Sequence, residues 1–174
     1  PQNPIILKFK RREVSIGGLV SYQIKKGKLE KEDVVLKTKE PRAIDIYESK
    51  IAFASENKVI VVDEGAVFHI ENEWFSYIHT VEFSKKRKDI VLISSSGFDC
   101  FFEFNYKTGE KVFEWFAWEN GFDKGIDTEG KERVLTRNKQ VLEKIKPEGV
   151  NIHLVDPNNG TLPTAQRTAF INSV

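Results

Sequence analysis

The sequence predicts a mostly β protein of β-propeller-type four-stranded blades, an incomplete propeller with one inserted helix. Three observations carry that expectation. A strand and turn order occurs twice between Pro41 and Trp118, it recurs at about 40 residues, and Asp-x-Gly or Asn-containing turns separate its β-branched runs.

The first copy occupies 41–78. Residues 43–47 alternate apolar and polar side chains as a half-buried strand does, and 50–54 supply a second strand. A turn at 55–58 leads into the continuous apolar run Val59-Ile60-Val61-Val62. Asp63-Glu64-Gly65 then turns the chain into a fourth strand at 66–70. The second copy, 79–118, repeats the order with strands at 80–84, 89–94, 101–104 and 111–115. Its turns are Ser96-Gly97-Phe98-Asp99 and 105–110.

Ahead of these copies, 1–40 reads as a partial blade, with strands at 20–24 and 33–37 and a further strand at 14–19. Behind them, 119–165 reads as an insertion. The spacing of Val134, Leu135, Val141, Leu142 and Ile145 predicts a helix over 131–146, with Lys144 and Lys146 at its negative end and Pro147 and Gly149 beyond it. Residues 152–155 read as a strand, and 166–174 as the start of a further blade opened by a strand at 170–174. One strand cannot make a blade. The expectation is therefore that another chain, a further copy or a continuation completes the propeller.

Bulk properties set the class. With 40% hydrophobic and 30% charged residues and thirteen Phe, the chain has the material for a packed core and is not disordered. A net charge of +1 gives no support for nucleic-acid or membrane binding. The densest basic run, Lys85-Lys86-Arg87-Lys88, reads as a solvated turn tip. No apolar stretch reaches the length of a membrane span, and no signal peptide is visible. The expected location is cytoplasmic, or periplasmic if a leader has been removed. Cys100 stands alone in an apolar run, so an internal disulfide and a cysteine-based zinc site are excluded, and the thiol reads as a small buried hydrophobe.

The stretches His79-Thr80-Val81-Glu82-Phe83-Ser84, Leu92-Ile93-Ser94-Ser95-Ser96-Gly97 and Thr108-Gly109-Glu110-Lys111-Val112-Phe113-Glu114-Trp115 resemble blades of bacterial arylsulfotransferase-like propellers. The closing Phe170-Ile171-Asn172-Ser173-Val174 is similar to a His-Ile-Asn-Ser-Val strand start in those proteins. The resemblance covers 41–118 and the last few residues. It implies transfer of a sulfuryl group between phenols through a His nucleophile, helped by His and Arg side chains near the central channel. His79 stands at a matching strand start, and Phe170 stands where that family would show His.

First strands of blades line a propeller's channel, so polar residues at their starts point toward a common pocket. The catalytic candidates are His79, as base or nucleophile, and Arg167, as an anion clamp ahead of the last strand. The ligand-binding candidates are His153, beside the insertion, and Asn172. No metal-ligand spacing is present and no cofactor is expected. Among the aromatic residues 113–118, alternation sends Phe113 and Trp115 to one face and Phe116 and Trp118 to the other, one pair filling the core and the other free for docking. Two functions follow. The first is a propeller-type binding or assembly module completed by another chain or copy. The second is an arylsulfotransferase-like group-transfer enzyme acting on a small anionic or phenolic ligand.

Overall fold

The computed structural model describes residues 16–55, 57–127, 129–140 and 150–172. The described chain is mostly β, and its strands form four separate sheets with no closed barrel among them. The first is a two-stranded ribbon of β1 (Ile16–Lys25) and β2 (Lys28–Lys39). Gly18 lies where a side chain would meet the Leu36 carbonyl, so the two strands close tightly at their base. The strand expected at 14–19 is not separate: from Ile16 onward it continues into β1, because each β1 residue has a partner along the longer β2.

Two four-stranded antiparallel sheets follow, and they carry the core. Sheet one runs β3 (Pro41–Tyr47), β4 (Lys50–Ser55), β5 (Lys58–Asp63), β6 (Ala66–Glu71). Sheet two runs β7 (Ile78–Phe83), β8 (Ile90–Ser95), β9 (Cys100–Asn105), β10 (Lys111–Phe116). All eight strands lie where the repeated pattern puts them. Turn chemistry explains the tight connections: Glu64 and Gly65 both take positive φ, 49° and 84°, as a two-residue hairpin turn of this hand requires.

Register assigns the faces. Ala52, Ala54, Val59, Val61 and Ile70 of sheet one pack toward Val81, Val91, Ile93, Phe102 and Phe104 of sheet two, all essentially buried. Each buried Val, Ile or Phe stabilises the fold by about 1.5–3 kcal/mol. The first strands β3 and β7 run side by side, and the Phe83 N–H donates to Asp45 Oδ2 at 2.8 Å across them. The outer faces differ. Sheet one turns Ile44, Ile46 and Val67 to solvent, each more than half exposed, while sheet two presents Phe101, Phe113 and Trp115 in ring contact. Phe116 and Trp118 are buried on the core side, so the alternation of the aromatic run holds in the structure.

The insertion differs from expectation. Residues Glu132–Thr136 form strand β12, between β11 (Lys124–Ile126), antiparallel to it, and β13 (Val150–Leu154), parallel to it. Here Arg133 and Leu135 are buried and Glu132, Val134 and Thr136 less so, a period of two. The adjacent Val134 and Leu135 fit both a strand and a helix, and pairing to two neighbouring strands decides for the strand. Lys139 and Gln140 are helical, and the rest of the expected helix, 141–149, lies outside the described residues.

The closing strand is corrected as well. Residues 170–172 are irregular, with Phe170 at φ 50°, and 173–174 lie outside the described residues. Their backbone groups bond to side chains of sheet two rather than to a neighbouring strand. No helix among the described residues is long and apolar enough to cross a membrane.

Candidate functional site

Three side chains from three parts of the chain meet at the starts of β3 and β7, with His79 near them. Arg42 comes from β3, Tyr77 from the residue before β7, and Arg167 from the segment after β13, while His79, exposed on β7, feels the charge of both arginines. The guanidinium carbons of Arg42 and Arg167 lie over the Tyr77 ring, 4.8 and 5.5 Å from its centroid. Such contacts hold cations against the electron-rich face of the ring. Arg42 Nη2 also pairs with Glu40 at 3.0 Å, and Arg167 Nε donates to the Leu162 carbonyl at 3.3 Å. Desolvation, reinforced by the charges of Arg42 and Arg167, holds the His79 imidazole below its usual value. That favours the neutral imidazole, beside two permanent cations. That arrangement suits an anion.

Serines of β8 build the corner that carries Tyr77. Ser95 Oγ accepts from the Ser76 N–H at 2.9 Å and donates to the Trp74 carbonyl at 2.6 Å. Ser94 Oγ accepts from the Thr80 N–H at 3.0 Å. The Gly97 N–H donates to the Ser76 carbonyl at 2.9 Å, and a Cβ on Gly97 would stand 2.6 Å from Ser76 Cβ. Only glycine permits that approach. The result is a backbone that holds Tyr77 at φ 49°, with its ring turned to the two arginines. Tyr77 is also one wall of a cleft of about 280 Å³, which includes buried Phe75 and Phe98 and exposed Asn57, Glu73 and Asn159.

The remaining candidates separate from this cluster. His153 lies on β13, 8% exposed, and interacts with Gln166, Arg133 and Asp127. Burial, followed by the Arg133 charge, pushes its imidazole below the usual value against the opposing pulls of Gln166 and Asp127. His153 Nε2 and Arg133 Nε and Nη1 are buried without a hydrogen-bond partner among the described residues. Asn172 is engaged through its backbone carbonyl, which accepts from Thr80 Oγ1 at 2.6 Å, and its carboxamide oxygen, 3.1 Å from Ser96 Oγ. Burial pushes the Cys100 thiol well up, which leaves it unreactive. No group of three metal-ligating side chains occurs among the described residues.

Sequence reasoning singled out His79 and Arg167 but passed over Arg42, Tyr77 and Asp99. The only signal for Arg42 was its place directly after Pro41, at the start of a first strand. Asp99 was read as a turn residue, yet it is fully buried and accepts from the backbone N–H groups of Thr168 (2.9 Å), Ala169 (3.2 Å) and Ile171 (3.2 Å). The sequence matches no known family model, and no curated protein matches it.

Proposed function

We propose that this chain is a propeller-type binding module that holds a small anionic ligand at the starts of its inner strands and is completed by another chain or copy. The observation that carries the reading is the pair of guanidiniums over Tyr77 beside a neutral His79. Two forked donors and an imidazole offer charge-assisted hydrogen bonds to a sulfate, phosphate or carboxylate group. The adjoining cleft, with Phe75, Tyr77 and Phe98, suits an aryl body on that anion. The exposed aliphatic face of sheet one and the aromatic face of sheet two support completion by further sheets stacked on either side.

Titration with phenyl sulfate, followed by calorimetry and by the imidazole resonances of His79, tests the reading. Arg42→Ala and Arg167→Ala should each weaken binding about tenfold or more, the value of one charge-assisted bond. The bound anion should raise the His79 pKa. Affinity should therefore grow as pH falls through the free-state pKa of that imidazole, because the protonated ring adds a third positive charge. Saturable binding that neither arginine variant weakens would exclude the site.

A second reading has its own support. A histidine kept unprotonated beside two guanidiniums is suited to attack the sulfur of an aryl sulfate, its N–S bond forming as the S–O bond breaks and the phenolate leaves, and a second phenol then takes the sulfuryl group from the nitrogen, as the resemblance to arylsulfotransferase-like propellers implies. Loss of phenyl sulfate turnover in His79→Ala, with ligand binding retained, would favour the enzyme over the binding module.

A further inference from the structure

Arg167 reaches Tyr77 from a segment that the core does not hold. None of the side chains of residues 167–172 that follow Gln166 is buried, and Phe170 is 51% exposed. Polar bonds secure it instead. Asp99 accepts three of its backbone N–H groups. Ser96 Oγ donates to the Ile171 carbonyl, and Thr80 Oγ1 donates to the Asn172 carbonyl with Ser94 Oγ 3.4 Å away. Thr168 Oγ1 donates to the Phe122 carbonyl. Against these bonds stands Phe170, held at φ 50°, a region that side chains other than Gly, Asn and Asp rarely occupy. A segment with few apolar contacts and a strained residue opens locally before the rest of a fold does.

We infer that residues 167–172 form a strap whose docking onto sheet two assembles the anion site, and that anion binding closes the strap. The inference rests on the anion reading above and adds its regulation. Docking places Thr168 and Ala169 on Asp99, which fixes the neighbouring Arg167 over the Tyr77 ring, where Arg42 also lies. An undocked strap leaves Arg42 and His79 without the second guanidinium. An anion held by both arginines therefore favours the docked form, and a change that undocks the strap weakens the anion in proportion to the docked fraction it removes. Asp99 and Thr80 are positioning residues in this scheme.

The test is hydrogen exchange at the amides of Thr168, Ala169 and Ile171, with and without inorganic sulfate, in the whole chain. Sulfate should slow their exchange about tenfold at saturation, within the usual range of coupling between sites. Thr80→Val, which keeps shape and leaves Arg42, Tyr77, His79 and Arg167 in place, should speed that exchange, and saturating sulfate should slow it again about tenfold. Asp99→Asn should speed it more strongly, and the half-buried Thr80 position keeps the test open if the fully buried variant fails to fold. Sulfate that binds without protecting the strap, in the unaltered chain or in Thr80→Val, would overturn the coupling and leave the anion site standing. Absence of sulfate binding in the unaltered chain, read independently at His79, would overturn the anion site and the strap together.

Discussion

Trp74→Ala should destabilise the fold by about 3–5 kcal/mol, the usual cost of truncating a buried tryptophan. Trp74 is 6% exposed, although it lies in the connection between β6 and β7 rather than in a strand. Its ring meets Phe98, Phe116 and Trp118 at centroid distances of 5.2, 5.0 and 6.0 Å, two of them edge-on, and Arg137 lies over it. Its backbone is tied as well, to Asn72 Oδ1 and to Ser95 Oγ. Truncation leaves a cavity bounded by three buried rings, with Phe116 fixed on β10 and Trp118 Nε1 tied to the Phe98 carbonyl at 2.8 Å, so collapse cannot fill it. Urea unfolding measures the effect, with Phe113→Ala, on the exposed outer face, as the control that should change little. A loss below 1 kcal/mol for Trp74→Ala would show that this aromatic cluster does not hold the sheets together.

Tyr106→Phe should cost roughly 1.5–3 kcal/mol, the range for hydrogen bonds to charged groups. The Tyr106 hydroxyl is buried between Asp63 Oδ2 at 2.9 Å and Asp89 Oδ1 at 3.0 Å, and so joins sheet one to sheet two. Lys107 Nζ sits 3.1 and 3.4 Å from the same two carboxylates. Desolvation and the two carboxylate partners push the phenol far above its usual value, so it stays a donor at every accessible pH. Desolvation would raise the Asp63 carboxyl, but hydrogen bonds from Lys107 and Tyr106 with the Lys107 charge outweigh it and hold the group below its usual value. A carboxyl depressed in the folded state contributes stability above its unfolded pKa and loses it as pH falls toward the folded value. The urea midpoint of the unaltered chain should therefore drop as pH is lowered from 5 toward 3. In Tyr106→Phe the depression of Asp63 weakens, so that acid-dependent drop should shrink. An unchanged acid limb would mean that Lys107 alone sets the carboxyl.

The strands of the two central sheets were legible because each carries its own signal. Alternation at 43–47, the β-branched run at 59–62 and the Asp-Glu-Gly turn between strands all act within a few residues. In the sheet of β11, β12 and β13 the strand read at 152–155 corresponds to β13, whereas β12 was not legible for the same reason. Strand β12 is decided by β11 and β13, which pair with it from either side, and its local pattern around Val134 and Leu135 suits two periods. The candidate site was half legible. A polar residue at a first-strand start pointed to His79, and an arginine ahead of the closing segment pointed to Arg167. Tyr77 joins them only through a left-handed backbone imposed by Ser95 and Gly97, and Asp99 acts on backbone groups about seventy positions away in sequence. Neither leaves a trace in composition or spacing.

The parallel pairing of β12 and β13 sets an order in time. Antiparallel neighbours joined by tight turns close small loops and form early, whereas a parallel pair must wait for its crossover, here 137–149, to bring distant positions together. Arg167 follows that pair in the chain and cannot settle before β13 does. A folding molecule should thus pass through a stage with both central sheets in place and Tyr77 facing only Arg42. Pulse-labelled amides of β8 and β9 should be protected ahead of those of β13, and a nascent chain would gain its shape before its affinity.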